Sequence, residues 1–71
     1  MEIEKKYEIE NVELTKEHID NKVTYIPTHA NGNASHKDSE GGTIMHWNEY
    51  GVMVNYVYNK CRTPYHLLVW G

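Results

Sequence analysis

The sequence predicts an all-β domain, an SH3-like small barrel with an N-terminal extension and single-turn helices. Three observations carry that prediction. Val52, Val54 and Tyr56 alternate with Met53 and Asn55, the period of two expected of a half-buried strand. Turn-forming residues recur at short intervals, at Asp20-Asn21, Gly41-Gly42, Tyr50-Gly51 and Asn59-Lys60. No stretch sustains a helical apolar face; the helix-start residues Thr15 and Pro64 open single turns at most.

Taken in order, residues 1–14 form an acidic extension, and residues 15–71 the barrel domain. In the extension Tyr7 and Ile9 share one parity and Val12 and Leu14 the other, so a strand with a bulge or turn at Asn11 is expected, frayed at its start. Thr15 caps one helical turn with Glu17 in its first turn, and Ile19 is its core anchor. Val23 and Tyr25 line one face of the next strand, which Pro27 ends by removing a ladder donor. A polar loop leads to Gly41-Gly42 and a strand over Thr43–Trp47. A tight turn at Asn48–Gly51 and a strand over Val52–Tyr58 follow. After the Asn59-Lys60 turn come a short strand, one helical turn from Pro64 and a closing strand ending at Trp70. The expected core is Val23, Tyr25, Ile44, Val52, Val54, Tyr56, Leu67 and Val69. Barrel closure would remove the exposed edges of a five-strand sheet.

A chain of 71 residues makes one domain. At this size a domain buries only about 60% of its unfolded surface, and such a core rarely supplies more than roughly 3–5 kcal/mol unaided. Cys61 is alone, which excludes an internal disulfide and suits a reducing compartment. No apolar run is long enough to span a bilayer and no signal-peptide core is visible, so the expected location is the cytoplasm. The net charge of −3 is uneven. Seven of the acids fall in residues 1–20, and the remainder of the chain is nearly balanced, without the basic excess of a non-specific nucleic-acid binder.

The loop from Pro27 to Gly41 concentrates the chemistry. His29, Asn31, Asn33, His36, Asp38 and Glu40 form a candidate binding loop, expected to be ordered. His36, Asp38 and Glu40 stand at i, i+2 and i+4, so an extended segment would point them to one side, with His29 folding over them. These four are the candidate ligands for a divalent metal. Their spacing matches no strong metal signature, and side chains that bond loop backbone explain them without an ion, so the expected state is free of cofactor. No nucleophile sits in a recognisable elbow and the domain lacks depth for a cavity, so the chain is expected not to be an enzyme. Six Tyr and two Trp with no Phe favour rings with a polar tip, common at interfaces. With Ile44 facing inward, Met45, Trp47, Tyr50 and Met53 would form an exposed aromatic surface; the alternative puts Trp47 in the core.

The run KVTYIPTHANGNASHKDSEGGTI, followed by GVMVNYVYN and TPYHLLVW, resembles a group of small uncharacterised tailed-phage and prophage proteins with a YxPxHAxGxxxHxDxExG loop. Val23, Tyr25, Pro27, His29, Ala30, Gly32, His36, Asp38, Glu40 and Gly42 stand at the positions of that pattern. Ser39 departs from it where the group often has Cys, as does Tyr65-His66 where an acidic pair often precedes the Leu. The resemblance covers about residues 19–70 and implies origin and fold, not a mechanism. The resulting expectation is a non-enzymatic phage or prophage accessory module that contacts a host protein in the host cytoplasm, in its concrete form an inhibitor of a host defence system. The alternative is a small nucleic-acid-binding SH3-like domain, with Lys22, Lys37, Lys60 and Arg62 on phosphates and Trp47 or Tyr50 stacking. The thin core leaves a homodimer open.

Overall fold

Alternation along the chain places one apolar row on the inner face of a single antiparallel sheet. The computed structural model describes residues 6–71, so the expected fraying at the start lies outside the described residues. Strands β3 (Lys22–Tyr25), β4 (Glu40–Asn48), β5 (Gly51–Tyr56) and β6 (Lys60–Thr63) form a meander, and β7 (Leu68–Trp70) returns to pair with β3. The sheet order is β6-β5-β4-β3-β7, all antiparallel. The protein is therefore all-β, with 3₁₀ turns at Lys16–His18, Thr28–Ala30 and Tyr65–Leu67. Strands β6 and β7 are its two edges and do not pair with each other, so the pairings do not close a barrel. Both strands are short, and Pro64 lacks the N–H that would extend the β6 ladder.

The extension is part of the core. Strand β1 (Glu8–Ile9) pairs with β2 (Val12–Glu13) across Glu10 and Asn11, both at positive φ (49° and 66°), as a two-residue I′ hairpin requires. The hairpin buries Ile9 and Leu14 alongside Val23, Ile44, Val52, Val54, Tyr56 and Leu68. It also clamps the β7 edge: the Glu10 carboxylate accepts from the Trp70 backbone N–H at 2.6 Å, and the Trp70 indole N–H donates to the Ile9 carbonyl at 2.8 Å.

Several expectations are corrected. Tyr25 is only half-buried and packs against the core from its rim. At the closing strand the burial parity is shifted by one: Leu68 is buried, while Leu67 and Val69 are half-buried, because the 3₁₀ turn takes up Leu67. Ile19 is 42% exposed and anchors nothing; instead the backbone of Asp20 and Asn21 bonds both polar groups of Ile44. Strand β5 stops at Tyr56, whose N–H bonds the Asn59 carbonyl, so the turn holds Val57, Tyr58 and Asn59 rather than Asn59-Lys60. Among the described residues no helix is long and apolar enough to cross a membrane.

Candidate functional site

A register shift between Ile44 and His46 reorganises the expected aromatic surface. Ile44 pairs with Val54, but His46 pairs with Met53 and Trp47 with Val52. The extra residue, Met45, returns Trp47 to the inner face, where it packs against the core. The outward placement of Trp47 is thus overturned, and Met45 and Met53 are half-buried. Of that set only Tyr50 projects freely, at 74% exposure, from the β4–β5 turn; its N–H bonds the Asn48 side chain at 2.8 Å. The largest unexpected apolar exposure is at the β5–β6 tip, where Val57 is 78% and Tyr58 93% exposed.

The loop between β3 and β4 is built from consecutive turns, not an extended segment. Ala30, Asn31, Asn33, His36 and Ser39 each donate a backbone N–H to the carbonyl three residues earlier. Asn31 and Gly32 sit at positive φ and reverse the chain, while Pro27 and Ala30 are buried and anchor the loop. The Asn33 carboxamide accepts from the Ser35 N–H at 2.9 Å, and the Ser39 hydroxyl donates to the Asn33 carbonyl at 2.9 Å. Seven loop N–H groups, those of Ala30, Asn31, Asn33, Ser35, His36, Asp38 and Ser39, are thus bonded from within the loop, which favours order without an apolar core of its own.

These turns bring His29, His36 and Asp38 together, with candidate ligand atoms within 4.8 Å of one another. The His29 Nε2–H donates to Asp38 Oδ2 at 2.7 Å, and the two imidazoles meet edge to face at 5.4 Å. His36 Nδ1 accepts the Asp38 backbone N–H at 3.0 Å, so a neutral His36 carries its proton on Nε2. Two ligands on a tetrahedral ion with bonds near 2.0–2.1 Å stand about 3.3 Å apart. Holding an ion here would open the 2.7 Å His29–Asp38 contact and take the His36 lone pair from Asp38 N–H. The arrangement as it stands is a hydrogen-bonded lock.

Glu40 does not join this cluster, because it begins β4 opposite Tyr25. It lines a depression of about 200 Å³ together with Tyr25, Tyr56, Asn59, Cys61 and Thr63. Tyr56 is fixed there by a 2.5 Å hydrogen bond between its hydroxyl and that of Thr63. Burial, more than the neighbouring charges, raises the Tyr56 hydroxyl above its ordinary pKa. Gly42, paired with Tyr56, makes room for its ring: a Cβ there would lie 3.0 Å from Tyr56 Cδ1.

The four expected phosphate-contacting cations do not converge. Lys22 and Lys60 end one cross-strand row through Thr43 and Asn55, and Lys37 lies in the loop. Arg62 is spent on the β4–β5 turn, where its guanidinium donates to the Asn48 side chain at 2.7 Å. No family model matches the chain, and no curated protein or solved structure matches it significantly.

Proposed function

We propose that the chain is a small non-enzymatic module that binds a protein partner with one end of its sheet. The observation that carries this reading is the pairing of a self-bonded polar loop with an apolar tip. In an antiparallel meander the β3–β4 and β5–β6 connections leave the sheet at the same end, so the His29–Asp38 loop and Val57-Tyr58 flank one surface. An exposed aromatic tip beside fixed polar groups is a composition suited to protein interfaces. The non-enzymatic part is supported by the commitment of one of the three loop hydroxyls of Thr28, Ser35 and Ser39, that of Ser39, to a backbone carbonyl. The resemblance to small phage and prophage proteins supports a host protein as the partner, and inhibition of a host defence system as the outcome. An SH3-like barrel is the finer reading of the fold, supported by the return of β7 to β3 after a single 3₁₀ turn.

The test is affinity capture from host lysate with the wild-type chain and a Val57→Ser/Tyr58→Ser variant as baits. A protein held stoichiometrically by the wild type and lost with the variant is expected; equal capture by both refutes the tip as contact surface. The shared face of Lys22 and Lys60 favours nucleic-acid binding as a second reading. Titration with single- and double-stranded DNA and RNA at two salt concentrations decides it, since phosphate contacts give steeply salt-dependent binding.

A further inference from the structure

The two sheet edges differ. Strand β7 is covered by the N-terminal hairpin through Glu10 and Ile9, whereas β6 has no strand neighbour beyond β5 among the described residues. Tyr56 and Asn59 form a hydrogen-bonded pair, so in the same register Val54–Cys61 and Val52–Thr63 are bonded pairs too. The backbone N–H and C=O groups of Lys60 and Arg62 therefore point away from β5, toward the free edge. The inner-face residues Asn59, Cys61 and Thr63 of this same stretch line the depression that holds Glu40.

We propose that the β6 edge accepts an extended segment of a partner protein by strand addition, with a lysine or arginine of that segment seated between Tyr25, Glu40 and Tyr56. This rests on the protein-binding reading above and specifies the chemistry of the partner. A strand added beside β6 alternates its side chains, and each inward one lies over the row formed by Asn59, Cys61 and Thr63. At about 200 Å³ the depression matches one long side chain and falls below the range of roughly 300–1,000 Å³ usual for small-molecule pockets. Its charge selects the side chain. Glu40 is half-buried and makes no hydrogen bond or ion pair with a described residue; Tyr25 and Tyr56 line the depression with it, and its charge acts on the Tyr56 hydroxyl. An anion next to aromatic rings favours a cation. Cys61, Asn59 and Thr63 add no positive charge.

The same strand disfavours a second copy of this chain as the occupant. Lys60 and Arg62 share the outer face, so antiparallel pairing of two β6 strands with a continuous pleat sets one of these cations opposite another. A foreign segment with acidic residues flanking its inward cation meets both faces favourably.

The probe is the peptide acetyl-Thr-Val-Glu-Lys-Glu-Val-Thr-amide, compared with its norleucine counterpart at the lysine position. Both are titrated to millimolar concentration into the ¹⁵N-labelled chain. The lysine peptide is expected to shift the amides of Glu40, Lys60 and Arg62 and to slow exchange at Lys60 and Arg62. It should bind about fivefold or more tightly than the norleucine peptide, the upper range of one partly exposed ion pair. Glu40→Gln should make the two peptides equal while leaving the rest of the spectrum unchanged. Equal binding of both peptides to the wild type overturns the proposal, as does the absence of protection at Lys60 and Arg62 or of any binding. If partner capture still depends on Val57 and Tyr58 in that event, only the strand-addition inference falls.

Discussion

Ile9→Ala tests whether the N-terminal hairpin is structural. Ile9 is fully buried in the same cluster as Val23, Ile44 and Leu68, and its carbonyl receives the Trp70 indole. Removing three carbons from such a site costs about 2–5 kcal/mol, the lost transfer energy plus a cavity term. A hairpin of two two-residue strands can collapse partly into the gap, so the lower half, about 2–3 kcal/mol, is expected. Against a total of roughly 3–5 kcal/mol for a core this small, that loss is most of the stability. At about 4–8 °C per kcal/mol, the melting temperature should fall by about 10–20 °C. Val12→Ala is the matched control, since Val12 pairs with Ile9 but is 44% exposed and should cost no more than about 0.5 kcal/mol. The assay is urea unfolding followed by tryptophan fluorescence, with Trp70 reporting on the clamp. A loss below about 0.5 kcal/mol for Ile9→Ala would show that the hairpin contributes no core, and the reasoning from its burial would fail.

Gly42→Ala should destabilise by about 1–3 kcal/mol through overpacking, because its Cβ would meet Val54 Cγ1 at 2.6 Å and the Asn55 carbonyl at 2.8 Å. Gly41→Ala, with only the Val23 carbonyl at 4.0 Å, should be neutral or slightly stabilising in the same denaturant series. Tyr65 donates its hydroxyl to the Asn48 carbonyl and stacks on Tyr7, and burial first, then the Tyr7 charge, pushes its pKa up to about 12. Because the folded value exceeds the ordinary tyrosine value of 10.0, its contribution is fully present below pH 10 and is lost as pH rises toward 12. Unfolding midpoints measured from pH 8 to 12 should fall across that window, and Tyr65→Phe should flatten the fall while costing about 1 kcal/mol at neutral pH. His29→Ala should cost no more than about 1 kcal/mol, since the side chains of His29 and Asp38 are 63% and 48% exposed. Chelator should leave the melting temperature unchanged; a drop on adding it would show that an ion, not the hydrogen-bonded lock, holds the loop.

Legibility in the sequence followed the strength of local signals. The Val52, Val54 and Tyr56 face, the stop at Pro27 and the turn at Asn11 were readable because alternation, a missing donor and a switch of apolar parity each act over a few residues. Trp47 was not, because counting parity from Ile44 assumes an uninterrupted strand, and Thr-Ile-Met-His-Trp is compatible with a bulge at Met45 or none. Leu68 was missed for a related reason: Leu67, Leu68 and Val69 are consecutive apolar residues and carry no alternation that could choose among them. The His29–Asp38 bond spans nine residues and depends on the reversal at Asn31-Gly32. The composition of the loop named its members, but an extended-chain count grouped Glu40 with them and left it on the wrong side of a strand boundary.

Connectivity explains why one end of this sheet concentrates the exposed chemistry. Successive connections of an antiparallel meander alternate between ends, so the long β3–β4 loop and the β5–β6 tip must emerge together, and the Tyr50 turn at the other. The end with two such connections can be enlarged at one of them without disturbing the inner rows, provided the added residues bond among themselves. The loop from Thr28 to Ser39 meets that condition turn by turn. Its neighbour across the sheet, Val57-Tyr58, does the opposite and leaves apolar surface in water, which a thin core gives no internal reason to tolerate. Rigid polar groups fix orientation and a projecting aromatic supplies contact area, so the two features are complementary only when a partner spans both. The Glu40 depression lies at that same end, beneath the start of β6. A segment that adds to β6 and extends past Lys60 would reach the Val57-Tyr58 tip as well as Glu40, which couples edge and tip in a single contact.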